Sequence, residues 1–454
     1  MADAEIHYKK MIRLILSISF QQFMLALVGA SDAVMLGKLN QDSMSAVSLA
    51  SQMTFVFNLF MTAFVIGENM FAAQYYGKRD YANISKIFGF VLRISCLMSI
   101  PFLIGSLFFA AQIMVFFTNE PDLIRMGSEY LRYVGISYLF SAISQVCLTI
   151  MKNCGAVGQS SVFSSMTVVL NIILNAVFIF GLLGFPVMGI KGAALATVTA
   201  TTVQMIFSVV FLIRKMKQLK SHMFEKDCAL ERKFRIKVVP VLLNELIWGG
   251  GFTMYSVIMG HLGTDAAAAN SIANISKNIV VCFCLGLGSG GSIIVGNALG
   301  AEHFEEAKRV GRRLTRASVV GGVLSGLLLL ALSPVITGMV DLTPEAKKYL
   351  SGMLVICSYY IAGKSINCMT IGGIFPAGGD TRFGLLCDTV TLWCVTIPLG
   401  CLCAFVFRFP ILVVYFVLNL DEIVKLPAVY WHYKKYGWVK NITKNISNGG
   451  LENE

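Results

Sequence analysis

Apolar residues in this chain are grouped in blocks of twenty or more, separated by shorter polar stretches. A helix of that length, rising about 1.5 Å per residue, crosses the roughly 30 Å of membrane hydrocarbon. Small residues run through the blocks and suit helix packing in lipid, whereas the alternating segments of a β-barrel are missing from the sequence. The pattern predicts an all-α integral membrane protein with twelve transmembrane helices, at roughly 11–36, 44–72, 86–112, 125–150, 160–183, 188–213, 237–260, 266–299, 309–333, 346–374, 383–407 and 410–433.

The two halves of the sequence repeat each other. A shift of 223 residues places residues 34–39 over 257–262 and continues without a gap to Arg93 over Arg316. A shift of 221 then places residues 158–160 over 379–381. Six spans return the chain to its starting side, so the halves have the same topology and are related by a pseudo-twofold axis along the membrane normal.

The repeat divides the chain into two six-helix lobes joined by a polar segment. We predict an N-lobe at 1–213, a cytoplasmic linker at 214–236, a C-lobe at 237–436 and a cytoplasmic C-terminal tail at 437–454. Two lobes with a cleft between them suit alternating access, in which a central site faces each side of the membrane in turn. The duplication therefore favours a secondary transporter over an anchor or a channel.

Composition narrows the class of protein further. Only 14% of the residues are charged and the mean hydropathy is +0.71, which excludes an ordinary soluble enzyme, because soluble proteins are about one quarter charged. The net charge of +12 could suggest a nucleic-acid partner, but alternate loops separate 26 basic residues on one side from six on the other. The positive-inside rule then predicts that both termini are cytoplasmic, in a multi-pass plasma membrane protein.

Several stretches resemble the multidrug and toxic compound extrusion family of cation-coupled exporters over residues 8–436, and the prokaryotic DinF-like and NorM-like branches resemble the chain most. The matching segments are residues 32–37, 72–80, 171–181, 189–197 and 378–381. The resemblance implies two bundles around a central V-shaped cavity, in a protein of the bacterial inner membrane. It implies a non-enzymatic antiporter that exports amphipathic, often cationic organic compounds in exchange for H⁺ or Na⁺, as a monomer and without a cofactor.

The first candidate site lies in the N-lobe. Asp32 is an ionisable residue inside a span, and such residues are functional candidates because burying their charge is costly. The resemblance implies that Asp32 binds the coupling cation, together with Asn171, Asn175 and Thr197. DinF-like members often carry Asp where Asn175 stands, and asparagine can bind Na⁺ or a hydrogen bond but cannot store a proton. Hydrogen bonding between helices, and an Asp32 that only reaches water at the interface, remain alternatives.

The second candidate site lies in the C-lobe and follows from depth along the helices. Glu245, Lys364 and Asp388 each lie about five to ten residues from the cytoplasmic ends of their spans. One lysine between two carboxylates leaves a net charge of −1, which suits a proton, a metal cation or a cationic substrate. A purely structural ion pair is the alternative. We also expect Glu422 and Lys425, three residues apart in span twelve, to pair with each other.

Two other functions compete with antiport. A lipid-linked oligosaccharide flippase of the same broad superfamily would share the two-bundle shape but would carry Arg and Lys in its cavity for an anionic pyrophosphate. A membrane-embedded enzyme would need an acid cluster, a zinc motif or a nucleophile with its base, and the sequence contains none of these. We therefore predict a transporter of small organic molecules.

Overall fold

The computed structural model describes residues 2–39, 41–219, 221–340 and 342–444, and those residues form helices and short connections without a strand. The predicted C-terminal tail lies outside the described residues from position 445 onwards. The first eight helices are α1 (Ala2–Gly37), α2 (Gln41–Gly77), α3 (Tyr81–Phe108), α4 (Ala110–Phe117), α5 (Pro121–Val134), α6 (Ile136–Asn153), α7 (Val157–Phe180) and α8 (Ile190–Lys215). The next eight are α9 (Cys228–His261), α10 (Thr264–Gly300), α11 (Phe304–Met339), α12 (Pro344–Ala377), α13 (Arg382–Val406), α14 (Ile411–Leu418), α15 (Asp421–Val424) and α16 (Leu426–Lys434).

The helices confirm the all-α membrane fold with two lobes. Among the described residues, ten helices are long and apolar enough to cross a membrane, and α5 with α6 form an eleventh span bent by 46°. The short helices α14, α15 and α16 stand where the twelfth span is predicted. Asp421, Glu422 and Lys425 lie in the middle of that segment and lower its hydropathy, and Pro427 at the start of α16 interrupts the helical hydrogen bonds.

Local sequence signals set several helix ends. The side chains of Asp80 and Asp227 accept hydrogen bonds from backbone amides at the starts of α3 and α9, and Thr343 does the same at the start of α12. These caps satisfy amides that have no partner within the helix. Gly181 ends α7 with a φ of 70°, a left-handed conformation that favours glycine.

Basic residues collect at one end of the bundle, which we call the basic side. Lys78 and Arg79 follow α2, Arg214 and Lys215 end α8, and α11 begins with a segment that contains Lys308. The other ends of the same helices form the opposite side. Because α1, α7 and α9 all begin on the basic side, each lobe starts its spans in the same direction, as a parallel repeat requires.

The lobes meet where α1 and α2 pack against α9 and α10. Asn69 Nδ2 donates to Ser292 Oγ at 3.0 Å, and these residues are 223 positions apart, which is the repeat shift itself. Ala73 and Gly296 are also repeat-equivalent, and a Cβ added at Gly296 would lie 2.7 Å from the Cβ of Ala73. Residues that touch their own repeat equivalents lie on the pseudo-twofold axis, so α2 and α10 cross on that axis.

The crossing is tightest on the basic side. A Cβ at Gly77 would collide with the carbonyl oxygen of Asn297, and a Cβ at Gly300 would collide with that of Gln74. These two contacts are related by the same 223-residue shift. Among the described residues, hydrogen bonds and ring contacts between the lobes run from the basic side to Phe55 and Phe252, whose ring centroids are 6.4 Å apart. We infer that the cleft between the lobes opens towards the opposite side.

The chain that follows α16 also joins the lobes on the basic side. Trp438 is fully buried in the C-lobe, while Ile442 packs into the main apolar cluster of the N-lobe. Gln74 of α2 holds this segment, since its side chain donates to Lys440 O at 3.1 Å and accepts from Ile442 N at 2.8 Å. Three separate elements thus close the basic side: α2, α10 and the segment after α16.

Candidate functional site

The structure brings together the four polar residues that the sequence proposes in the N-lobe. Asn175 Nδ2 donates to Asp32 Oδ1 at 2.5 Å and to Asn171 Oδ1 at 3.2 Å. Asn171 Nδ2 in turn donates to Thr197 Oγ1 at 3.4 Å, which links α1, α7 and α8 in one chain of hydrogen bonds. Their role in binding a cation stays a prediction.

The Asp32 carboxylate has neutral hydrogen-bond partners. Asn171 and Asn175 are buried, and Asp32 itself is half-buried. Within the described part of the chain, no lysine, arginine or histidine forms an ion pair with Asp32. A carboxylate in this setting can lose or gain a proton without breaking an ion pair, and the amide and hydroxyl oxygens beside it could also serve as ligands for a small cation.

Helices α1 and α7 hold this site because they run parallel and in constant register. Three hydrogen bonds join them, from Ser161 Oγ to Ser17 O at 2.9 Å, from Gln21 Nε2 to Ser164 Oγ at 2.7 Å, and from Asn175 to Asp32. The paired positions differ by 144, 143 and 143 residues in turn. We call this contact the α1–α7 seam.

The buried charges of the C-lobe form one ion-pair network. It joins Lys364 and Asp388 to Glu422 and Lys425, which we expected only to pair with each other. Lys364 Nζ lies 3.0 Å from Glu422 Oε1, and Lys425 Nζ lies 3.2 Å from Glu422 Oε2 and 2.7 Å from Asp388 Oδ1. Asn367 also donates to Glu422 Oε2 at 2.7 Å. The four charged residues Lys364, Glu422, Lys425 and Asp388 carry no net charge together, and we call them the C-lobe network.

This network differs from the expected trio of Glu245, Lys364 and Asp388. Lys364 was expected to be shared by Glu245 and Asp388, but Glu422 is its hydrogen-bonded partner and Lys425 is the partner of Asp388. Glu245 is half-buried and close enough to Lys364 and Asp388 to interact electrostatically. The expected pair of Glu422 and Lys425 does form. The members of the trio thus lie in one region. The residues that neutralise Lys364 and Asp388 are Glu422 and Lys425, and both belong to the broken twelfth span.

Aromatic rings lie beside this network at the cleft. Lys364 Nζ lies 5.1 Å from the ring centroid of Trp248, which stacks on Phe252 with centroids 5.8 Å apart. Lys277 Nζ lies 4.7 Å from the ring of Tyr360 and 5.9 Å from that of Phe252. Apolar and aromatic walls with a few polar groups are typical of sites for small organic molecules.

The sequence reasoning missed a continuous polar stripe on α7. Ser160, Ser164, Thr167, Asn171 and Asn175 follow one another at spacings of three or four residues, and all five are buried. Val162, Val169 and Ile173 are exposed on the other faces of the same helix. The spacing of three or four residues alone could have revealed the stripe. A membrane helix with one polar and one apolar face must turn the polar face towards the interior of its lobe. We call these five residues the α7 polar stripe.

Glu68 is a second buried acid of the N-lobe, outside both predicted sites. It is fully buried in α2, and neither of its carboxylate oxygens accepts a hydrogen bond from a described residue. Lys152 at the end of α6 interacts with it electrostatically. The repeat shifts place Gly291 and Gly373 at the equivalent C-lobe positions, so this acid and base have no counterpart there.

These features define a class: a two-lobed membrane transporter built from parallel repeats around a cleft, with an acid held among amides in one lobe. The chain belongs to the MatE family, whose model matches residues 17–177 and 240–402. The two matched ranges correspond to the two halves of the repeat.

Relatives and solved structures agree with this assignment. The chain is 26% identical over 427 residues to a probable multidrug resistance protein, NorM, of Agrobacterium fabrum, covering 89% of this chain and 88% of that protein. It is 25% identical over 422 residues to the probable multidrug resistance protein YoeA of Bacillus subtilis, covering 90% and 89%. A mutant of the Vibrio cholerae MATE transporter VcmN shares the fold, with a TM-score of 0.88, 16% identity and coverage of 97% and 99%.

Proposed function

We propose that this chain is a secondary antiporter that exports amphipathic, often cationic organic compounds in exchange for H⁺ or Na⁺. The observation that carries the proposal is the Asp32 carboxylate, held inside the membrane by Asn175 and without an ion-pair partner in the described chain. Such a group can exchange its cation as the lobes expose it to either side of the membrane. The charged state of Asp32 then biases the position of α1 against α7.

The arrangement of the lobes supports alternating access. The basic side is closed by the α2–α10 crossing, and the cavity opens on the opposite side. Rocking of the two lobes about a line in the membrane plane that passes near Asn69 and Ser292 would close one end of the cleft as the other end opens. The positive-inside rule supports a cytoplasmic basic side, so the state described here is the one that releases cargo outside and receives the coupling cation.

The substrate class rests on the relatives and on the walls of the cleft. The similar NorM and YoeA proteins are named as probable multidrug resistance proteins. In this chain Trp248, Phe252 and Phe55 line the approach between the lobes, where flat aromatic molecules can stack. The protein acts as a monomer in this proposal, because each chain contains both lobes.

Transport in proteoliposomes tests the proposal. Purified protein is reconstituted, ethidium is the probe, and a pH gradient and a Na⁺ gradient are imposed in separate experiments. One of the two gradients is expected to drive ethidium against its concentration difference, and Asp32→Asn is expected to abolish this. Transport that proceeds equally without either gradient would contradict antiport, and ethidium accumulation that is undiminished in Asp32→Asn would contradict the site.

A further inference from the structure

The α7 polar stripe connects the Asp32 site with the basic side through the interior of the N-lobe. From Asn175 to Ser160 the stripe is 15 residues long, which corresponds to about 22 Å of helix. Each step of three or four residues rises about 4.5–6 Å, the distance that one bridging water spans between two polar groups. At its lower end Ser160 is followed towards the basic side by Gln159 and Gly158, which are exposed.

Other helices add polar groups to the stripe halfway along it. Gln21 of α1 and Gln204 of α8 both donate side-chain amide hydrogens to Ser164 Oγ, at 2.7 Å and 3.4 Å. Buried glutamines from two neighbouring helices thus converge on one serine. A lobe that needed only apolar packing would not bury three polar side chains at this depth, because each buried polar group must be compensated.

Two buried atoms along this line lack partners. Gln21 Oε1 accepts no hydrogen bond from any described residue although Gln21 is only 6% exposed, and Asn175 Oδ1 is likewise unpartnered although Asn175 is fully buried. Ser164 already accepts two amide hydrogens, so its own hydroxyl hydrogen is available to donate. Buried water is typically found where a hydrogen-bond acceptor and a donor, both without protein partners, lie close together in a polar interior.

We propose that the α7 polar stripe, with Gln21 and Gln204, is a proton route between Asp32 and the basic side that runs through the N-lobe and not through the cleft. A proton leaves the Asp32 carboxyl for a neighbouring water, each hydroxyl or water along the line accepts one proton and releases another, and one proton emerges beyond Ser160. The line is neutral before and after, and Asp32 is left as a carboxylate. The amide oxygens of Gln21 and Asn175 orient the waters.

The route is interrupted in the state described here. Thr167 Oγ1 donates to Phe163 O of its own helix at 2.9 Å, which takes its hydrogen out of the line between Ser164 and Asn171. Ser160 Oγ likewise donates to Leu148 O at 3.2 Å, which takes its hydrogen out of the line at the basic end. An interruption is required for coupling, since a permanently connected line would dissipate the proton gradient. Asp32 and Gln21 are both on α1 and contact α7 on either side of the interrupted segment. A shift of α1 along the α1–α7 seam would therefore move both residues relative to α7 at the same time.

The width of the stripe favours a proton over Na⁺. The stripe is one side chain wide, and its five members are at most 9% exposed. Exchange of hydrogen bonds moves a proton through such a line, whereas a metal cation would have to shed its water and find new ligands at every step. The inference rests on the proposed coupling role of Asp32 and deepens it by naming H⁺ as the coupling cation.

The test follows the protonation of Asp32 directly. The full-length protein is reconstituted in one orientation, and the carboxyl band that disappears in Asp32→Asn is followed by time-resolved infrared spectroscopy after a pH jump on either side. We expect Gln21→Met and Ser164→Ala to slow the response to a jump on the basic side by at least roughly tenfold, while the response to a jump on the opposite side is unchanged. Ser164→Thr, which keeps the hydroxyl, is expected to restore the response.

Ser165→Ala is the matched control, because Ser165 is the next residue on α7 and lies off the stripe. Two different positions are substituted, so that failure of one variant to fold leaves the other as a test. An unchanged basic-side response in the folded variant, no basic-side response in the wild type, or an equal effect of Ser165→Ala would overturn the route. Because the readout is protonation, a wild type that responds but does not transport would contradict the proposed antiport and leave the route standing.

Discussion

The two lobes place acidic residues in opposite electrostatic settings. In the N-lobe, Asp32 meets the neutral amide of Asn175, and in the C-lobe, Asp388 and Glu422 are tied to Lys425 at 2.7 Å and 3.2 Å. A change of charge at Asp32 breaks no ion pair, whereas a change at Asp388 or Glu422 leaves a buried lysine uncompensated. We infer from this difference that Asp32 can change its charge without the loss of an ion pair, whereas Asp388 and Glu422 are held as carboxylates by their lysine partners.

The repeat makes this difference visible position by position. The 223-residue shift places Tyr255 in the position of Asp32, and the 221-residue shift places Thr396 in the position of Asn175. Tyr255 and Thr396 do lie beside each other, so the C-lobe keeps the location of the N-lobe site without its carboxylate. On the α7 polar stripe the same shift replaces Ser164 and Asn171 with Leu385 and Leu392.

Removal of the Asp32 charge is expected to have the largest effect. Asp32→Asn should abolish gradient-driven transport while expression and thermal unfolding stay near those of the wild type, because asparagine retains a similar shape and hydrogen bonds. Efflux from proteoliposomes and unfolding in detergent measure the two properties. Asp122→Asn, at an acid whose side chain is 80% exposed, is the matched control. Loss of folding in Asp32→Asn would show that the carboxylate is needed for structure and would break the comparison.

Removal of a charge from the C-lobe network should lower the stability of the protein. Lys425→Met leaves Asp388 and Glu422 buried without their shared cation, and breaking a buried pair in this way lowers the free energy of unfolding by roughly 3–5 kcal/mol. Thermal unfolding in detergent provides the measurement. A Lys425→Met protein that is as stable as the wild type would mean that the C-lobe charges are not held as a fixed network.

A double substitution sharpens the assignment of partners inside the network. Lys364→Met should be destabilising by a smaller amount, roughly 1–3 kcal/mol, since Lys364 is 16% exposed and water can reach it. Adding Glu422→Gln should recover part of that loss, because both members of the 3.0 Å pair are then neutral. Adding Asp388→Asn instead should give additive losses. Recovery with Asp388 and not with Glu422 would reassign the partner of Lys364.

The linker offers a half-exposed ion pair as the weakest case, with side-chain exposures of 23% for Lys86 and 32% for Asp227. The backbone amide of Leu230 and the Lys86 ammonium hold the pKa of Asp227 below its ordinary value of 3.8. Asp227→Asn keeps the helix cap and removes the charge, so it should lower the free energy of unfolding by less than about 1 kcal/mol at neutral pH. A group with a lowered pKa stabilises the protein above its unfolded pKa, so the difference should shrink as the pH falls below 3.8 and vanish once the pH is below the pKa of Asp227 in the folded protein. Unfolding of both proteins across pH 3–7 checks this, and a difference that grows in acid would contradict it.

Much of the fold could be predicted because membrane insertion restricts the choices. Apolar block length and the repeat predict the spans and the two lobes, and the motif around Asp32 predicts its neighbours on α7 and α8. The break at Asp421 was not predicted, since hydropathy registers three charges in a span without indicating that the helix bends around them. Partner choice in the C-lobe could not be derived from depth alone: Glu245 and Glu422 both interact with Lys364, and only the side-chain packing selects Glu422 as its hydrogen-bonded partner.

The contact of Ala73 with Gly296 on the pseudo-twofold axis bears on how such a molecule can arise. Two identical halves assembled as a dimer would place the same residue on both sides of the axis. An alanine facing its own copy here would bring two Cβ atoms to 2.7 Å, and only a pair of glycines would fit. Joining the halves into one chain removes that restriction, because each half can then mutate alone. Ala73 opposite Gly296, and Asn69 opposite Ser292, are complementary pairs that two identical halves could not provide.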